Sequence, residues 1–177
     1  MTFEYTIKPI PTTYAGVNFR SRLEARWAAF FDLACWSWDY EPFDLEGWTP
    51  DFLLRTKSGN ILVEVKPIEL MRPISLSTAA AYRKAVLHHR DHVLLLLGIA
   101  PLMDDGDPIG SLLIPEGQAR SDFEFVYELQ SKELWREAGN KVQWISYHDD
   151  IDDRPQDTRA IIDRAMAKAR MAAKAAA

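Results

Sequence analysis

The stretch "TPDFLLRTKSGNILVEVKP", Thr49 to Pro67, constrains the fold more than any other part of the chain. Two apolar runs flank a Lys-Ser-Gly-Asn turn, the pattern of a β-hairpin. Side chains alternate faces along a strand, so Glu64 and Lys66 share one face of the second strand while Ile61, Val63 and Val65 share the other. With the turn centred on Ser58-Gly59, Asp51 falls opposite Lys66 and Leu53 opposite Glu64. Asp51 is then diagonal to Glu64 on the same face, within roughly 7–8 Å between Cα atoms. A hairpin built only to pack has no need of these three charges.

The flanking segments extend the hairpin into a sheet. "SRLEARWAAFFDLA" repeats Leu23, Trp27, Phe30, Phe31 and Ala34 at helical spacing, which predicts an amphipathic helix. "WSWDYEP" alternates Trp36, Trp38 and Tyr40 like a half-buried strand, closed by Pro42. Beyond Pro73, "STAAAYRKAVLHH" reads as a helix with Ser77 as its N-cap. "HVLLLLGI" is a continuous apolar run, as expected of a strand buried on both faces. "GSLLIP" and "KVQWISY" are further strand candidates, and "SDFEFVYELQSKELWREAG" reads as a helix with Gly139 past its end. This order of helix, three strands, helix, strand implies an α/β fold, a central mixed sheet flanked by helices, in which the second helix is a crossover. Residues 1–153 form a single domain in this reading, and 154–177 a basic, Ala-rich helical tail.

Composition narrows the function classes. A chain of 177 residues with 47% hydrophobic content buries a real core. A single cysteine, Cys35, excludes an internal disulfide and a Cys-based zinc cage, and fits a reducing compartment. The N-terminus lacks a secretion-signal pattern, and the longest apolar run, from Val93, is too short for a bilayer and contains Gly98 and Pro101. The expectation is a soluble, cytoplasmic protein with no membrane partner. The net charge of -5 argues against non-specific coating of nucleic acid. That acidity resides mainly in residues 100–153, with 13 acidic against 4 basic residues, so a polyanion can still bind elsewhere.

Two carboxylates and an ammonium converging on one spot suit a divalent cation. Like charges at that distance repel, and hard oxygens from two carboxylates match Mg²⁺ while leaving sites for water and phosphate. Pro50-Asp51, the hairpin, and Glu64-Val65-Lys66 together resemble the motif of the PD-(D/E)XK nuclease superfamily, and "FRSRLEARW…YEP…PDF…EVK" is similar to a group of small phage- and bacteria-associated nucleases within it. The resemblance covers Tyr14 to Lys66. It implies a restriction-endonuclease-like core and a Mg²⁺-dependent DNA endonuclease, with Mn²⁺ able to substitute. It further implies that Asp51, Glu64 and the Val65 carbonyl hold the metal. Glu24, on the helix before the sheet, would contribute directly or through water, and Lys66 would assist the hydrolytic water. Many relatives act as dimers, and a homodimer or a partner protein supplying specificity fits equally well. RNA also fits as substrate.

Each residue has a plainer reading. Ser21 and Glu24 have the spacing of a capping box, in which Glu24 bonds back to the Ser21 amide. Asp51 reads as a strand-entry residue, and Glu64 and Lys66 as a solvated face with cross-strand pairing. Arg20, Arg22 and Arg26 near the first helix, and Tyr82, Arg83 and Lys84 on the second, are candidates for phosphate contacts or for surface solubility; among these Arg20, Arg22, Arg83 and Lys84 are the nucleic-acid-binding candidates. His88 and His92 sit one helical turn apart, a spacing open to zinc but explained as well by a helix C-terminus rich in cations. The acidic run Asp149, Asp150, Asp152 and Asp153 reads as a solvated loop. A second class of function follows from these readings: a catalytically silent nucleic-acid-binding or protein-interaction module that keeps the fold. A third is a structural subunit whose acidic block docks a basic partner.

Overall fold

The computed structural model describes residues 9–70, 76–102, 109–119, 121–123 and 130–143. The chain opens with a small hairpin of β1 (Thr12–Tyr14) and β2 (Val17–Phe19), joined through Ala15 and Gly16, both at positive φ. Positive φ at both central residues is what a two-residue hairpin turn requires. The alternation over these residues is too short to be read in the sequence.

Helix α1 (Arg22–Leu33) follows, with Ser21 as N-cap accepting from the Glu24 amide. Its apolar stripe is buried as its periodicity requires, with Trp27, Phe30 and Phe31 fully covered. Each such side chain stabilises the fold by about 1.5–3 kcal/mol. The helix stops because Cys35 turns left-handed at φ 58°, while its amide bonds to Asp32 and that of Trp36 to Phe31. That is the Schellman arrangement, with cysteine in the position glycine usually takes.

The sheet contains β3 (Ser37–Tyr40), β4 (Phe52–Thr56), β5 (Gly59–Val65), β6 (Val93–Leu97) and β7 (Ser111–Leu113), side by side in that order. All neighbours are antiparallel except β5 and β6, which run parallel. A parallel pair needs a crossover, and α2 (Leu76–Ala81) with α3 (Arg83–Val86) lies within it. The single helix expected here is broken at Tyr82, whose side chain is buried and donates from its hydroxyl to Leu97 O at 2.6 Å. Ser77 is the second residue of α2 and therefore not its N-cap.

Strand alternation sorts the core into two layers. Phe52, Leu54, Ile61, Val63, Val65, Val93, Leu95 and Leu97 pack toward α1 and α4 (Ser131–Lys141). Leu53, Leu62, Leu94 and Leu96 pack on the other face with Trp48, Tyr82 and Ala85. The result is a mixed α/β sandwich of a five-stranded sheet between helices. Gly139 lies inside α4 and is buried, rather than past its end, and Lys141 ends that helix rather than opening a strand. The rest of the "KVQWISY" strand candidate, from residue 144, the acidic run and the basic tail lie outside the described residues. No helix among the described residues is long and apolar enough to cross a membrane.

Candidate metal centre

The hairpin register differs from the one expected. Thr56 pairs with Gly59 and Phe52 with Val63, so the turn is Lys57-Ser58. The Thr56 hydroxyl donates to Gly59 O (2.6 Å) and accepts from the Ser58 amide (3.2 Å), and Gly59 takes φ 131° as the first residue of β5. This side-chain closure moves the turn one residue toward the N-terminus. The ladder's last pair on this side is Phe52 with Val63, and the Asp51 amide donates to Val63 O at 2.9 Å, so Lys66 is not the partner of Asp51. The shift preserves every face, since opposite residues change in steps of two.

Asp51 and Glu64 are both buried, at 3% and 5% exposure. Each has one oxygen fixed by the frame. Asp51 Oδ2 accepts from the Val65 amide (2.7 Å), and Glu64 Oε2 accepts from Trp48 Nε1 (2.7 Å). Each has its other oxygen against a cationic side chain that reaches solvent. Arg20 Nη2 lies 2.6 Å from Asp51 Oδ1, and Lys66 Nζ pairs with Glu64 Oε1. The Asp51 carboxyl is pushed up to about 7, first by burial and then by the Glu64 charge. Burial, followed by the charges of Glu64 and Asp51, also raises the Tyr82 hydroxyl well above the ordinary phenol range.

Glu24 joins this group through Arg20 and Tyr40. Its Oε1 accepts from the Ser21 hydroxyl (2.9 Å), so the side chain bonds to the Ser21 hydroxyl where the capping box puts the amide. Its Oε2 accepts from the Tyr40 hydroxyl (2.5 Å) and lies 3.9 Å from Arg20 Nε. Arg20 Nε also bonds Glu41 Oε1 at 2.9 Å. Burial, together with the bond to Glu24, raises the Tyr40 hydroxyl to about 12. The cluster thus sets Glu24, Glu41, Asp51 and Glu64 against Arg20 and Lys66, an excess of two negative charges when every carboxyl is ionised.

The two framed carboxylates fit a hard divalent cation. Their fixed oxygens orient the groups, the outward oxygens each face a cation that reaches solvent, and the surplus charge matches. Among the described residues no group of three or more His, Cys, Asp or Glu is arranged to hold a metal. A metal here would rest on Asp51, Glu64, a carbonyl such as that of Val65, and water. The His88–His92 pair fares less well, because His88 Nε2 contacts Glu46 O (3.2 Å) and its ring stacks on Trp48.

Of the basic candidates, Arg83 and Lys84 are exposed on α3, and Arg22 is half-buried at the start of α1. Arg26 is fully buried, with its guanidinium 4.0 Å from the Trp135 ring centroid and bonded to Trp135 O (2.7 Å), so it cannot reach a phosphate backbone. Trp48, Glu41 and Tyr40 were not singled out as site residues from the sequence. Trp48 stands only three residues before Asp51, but the tight loop pairing Leu45 with Trp48, which aims its indole at Glu64, has no periodic signature. None of the protein-family models, curated proteins or solved structures compared with the chain matches it.

Proposed function

We propose that the chain is a metal-dependent phosphodiesterase of the PD-(D/E)XK type with a restriction-endonuclease-like core, acting on DNA as an endonuclease. The observation that carries this reading is the pair of neighbouring buried carboxylates, each with one oxygen framed and one turned to a displaceable cation. Asp51, Glu64 and the Val65 carbonyl would hold Mg²⁺ or Mn²⁺, with Glu24 contributing directly or through water. When bound, the metal lowers the pKa of a coordinated water and neutralises charge on phosphate oxygens. Lys66, about one-third exposed at the end of β5, can leave Glu64 and direct its ammonium at the attacking water or the developing phosphorane charge. In-line attack of the water oxygen on phosphorus forms one P–O bond and breaks the bond to the leaving sugar oxygen, which takes up a proton. Trp48 and the Val65 amide keep the carboxylates oriented. Arg22, Arg83 and Lys84 would meet the phosphate backbone, and a homodimer or partner protein would extend that surface.

Purified protein incubated with supercoiled plasmid, linear duplex and single-stranded DNA in Mg²⁺, Mn²⁺ or EDTA tests the reading, beside Lys66→Ala. Metal-dependent cutting by the wild type, reduced by about 10²-fold or more in the variant, is the expected result. No cutting and no metal binding would leave a nucleic-acid-binding or interaction module that keeps the fold.

A further inference from the structure

Arg20 holds an unusual position for a side chain that is 57% exposed, because it reaches three carboxylates, Glu24 on α1 and Glu41 and Asp51 in the segment between β3 and β4. One edge of the guanidinium is on Glu41, and the far nitrogen is on Asp51 Oδ1, the outward oxygen of the metal pair. Its backbone is tied as well, with the amide donating to the Tyr40 hydroxyl at 3.1 Å. Glu41 is placed by strain. It takes φ 43° immediately before Pro42, a left-handed backbone uncommon for glutamate, and its amide donates to Asp51 O at 3.0 Å. The residue that grips Arg20 is thus pinned to the backbone of the residue Arg20 neutralises. Nothing in the packing of the sheet requires a glutamate there, since Glu41 is exposed.

Resting on the proposed function, we infer that Arg20 is a resident counter-cation that competes with the metal for Asp51, and that Glu41 is the positioning residue that keeps it when the metal takes Asp51. Before metal arrives, the guanidinium supplies the positive charge that two buried carboxylates need. Metal on Asp51 Oδ1 displaces the Nη2 end of the fork, while the Nε edge stays on Glu41. The exposed side chain makes that exchange without unpacking any core residue. The freed end then lies beside the metal, where a substrate phosphate can take the place of Asp51.

Calorimetric titration of Mn²⁺ into metal-free wild type, Arg20→Ala, Arg20→Lys, Glu41→Gln and the Arg20→Ala/Glu41→Gln double variant tests this, with melting curves checking that each folds. Arg20→Ala is expected to bind about fivefold tighter or more, the fold-change of removing one charge-assisted competitor. Arg20→Lys is expected to tighten binding too, because a point charge cannot span Glu41 and Asp51 together. Glu41→Gln is expected to weaken binding, since the arginine then turns wholly to Asp51. That weakening should largely vanish in the double variant, because Glu41 acts through Arg20. Equal affinities in wild type and Arg20→Ala, or purely additive effects, would overturn the inference and leave the metal site standing. No Mn²⁺ binding by any of the variants would overturn both the inference and the function it rests on.

Discussion

Burial and the Glu64 charge oppose ionisation of Asp51, and this fixes the sign of its effect on stability. Its folded value of about 7 lies above the ordinary 3.8, so the folded state holds the proton more tightly between those limits. The stability this contributes is complete below about pH 4 and is lost as pH rises through 7. Without metal, Asp51→Asn is therefore expected to match the wild type near pH 4. At pH 8 it should exceed it by on the order of 2–4 kcal/mol. Denaturant melts in EDTA at several pH values measure the difference, and a constant offset would mean that Asp51 ionises freely. Trp48→Phe addresses the other carboxylate. It keeps the ring that stacks on His88 but leaves buried Glu64 Oε2 without its donor, so a loss of about 1–3 kcal/mol is expected. An unchanged urea midpoint would show that Glu64 finds another partner. Asp51, Glu64 and Lys66 were legible in the sequence because strand alternation alone puts them on one face. Trp48, Glu41 and the Arg20 bridge were not, because loop closure and a strained turn bring them in.

At the scale of elements, α1 and β3 to β6 follow from local pattern, and the breaks in that pattern come from tertiary demands. Ser77 has the chemistry of a cap, yet the helix starts before it, and a buried Tyr82 divides the helix in two by reaching for Leu97 O. Gly139 has the chemistry of a stop, yet it lies buried within α4. The hairpin turn moved because the Thr56 hydroxyl closes it, an interaction no hydropathy pattern contains. Gly98, just past β6, is a close-approach position. A Cβ there would sit 2.5 Å from Ile68 O, while Gly98 O accepts from buried Trp27 Nε1 at 2.9 Å. Gly98→Ala is expected to cost about 1–3 kcal/mol, lowering the thermal midpoint. A variant as stable as the wild type would mean that the strand end and the Ile68 segment move apart freely.

For the whole molecule, the mixed sheet and the crossover after Pro73 follow from the order of elements, whereas the side-by-side order of the five strands does not. Nor does the β1–β2 hairpin, since three-residue strands carry too little alternation. The sandwich puts Asp51 and Glu64 where β4 begins and β5 ends, so that helices cover the strands while the ends of Arg20 and Lys66 reach solvent. A cation that binds only the folded chain stabilises it by mass action. Mg²⁺ in excess is therefore expected to raise the thermal midpoint more at pH 8 than at pH 5, where Asp51 holds its proton. Equal shifts at the two values would place the ion elsewhere on the molecule.

Mn²⁺ titration at pH 6 and pH 8 in buffers of differing ionisation heat decides whether Asp51 and Glu64 together form a divalent-metal site. One ion should bind per chain, releasing close to one proton at pH 6 and far less at pH 8 as Asp51 gives up its proton, with binding abolished in Glu64→Gln. Absence of binding, or binding with no proton release at pH 6 and undiminished in Glu64→Gln, would mean that the two carboxylates hold no metal.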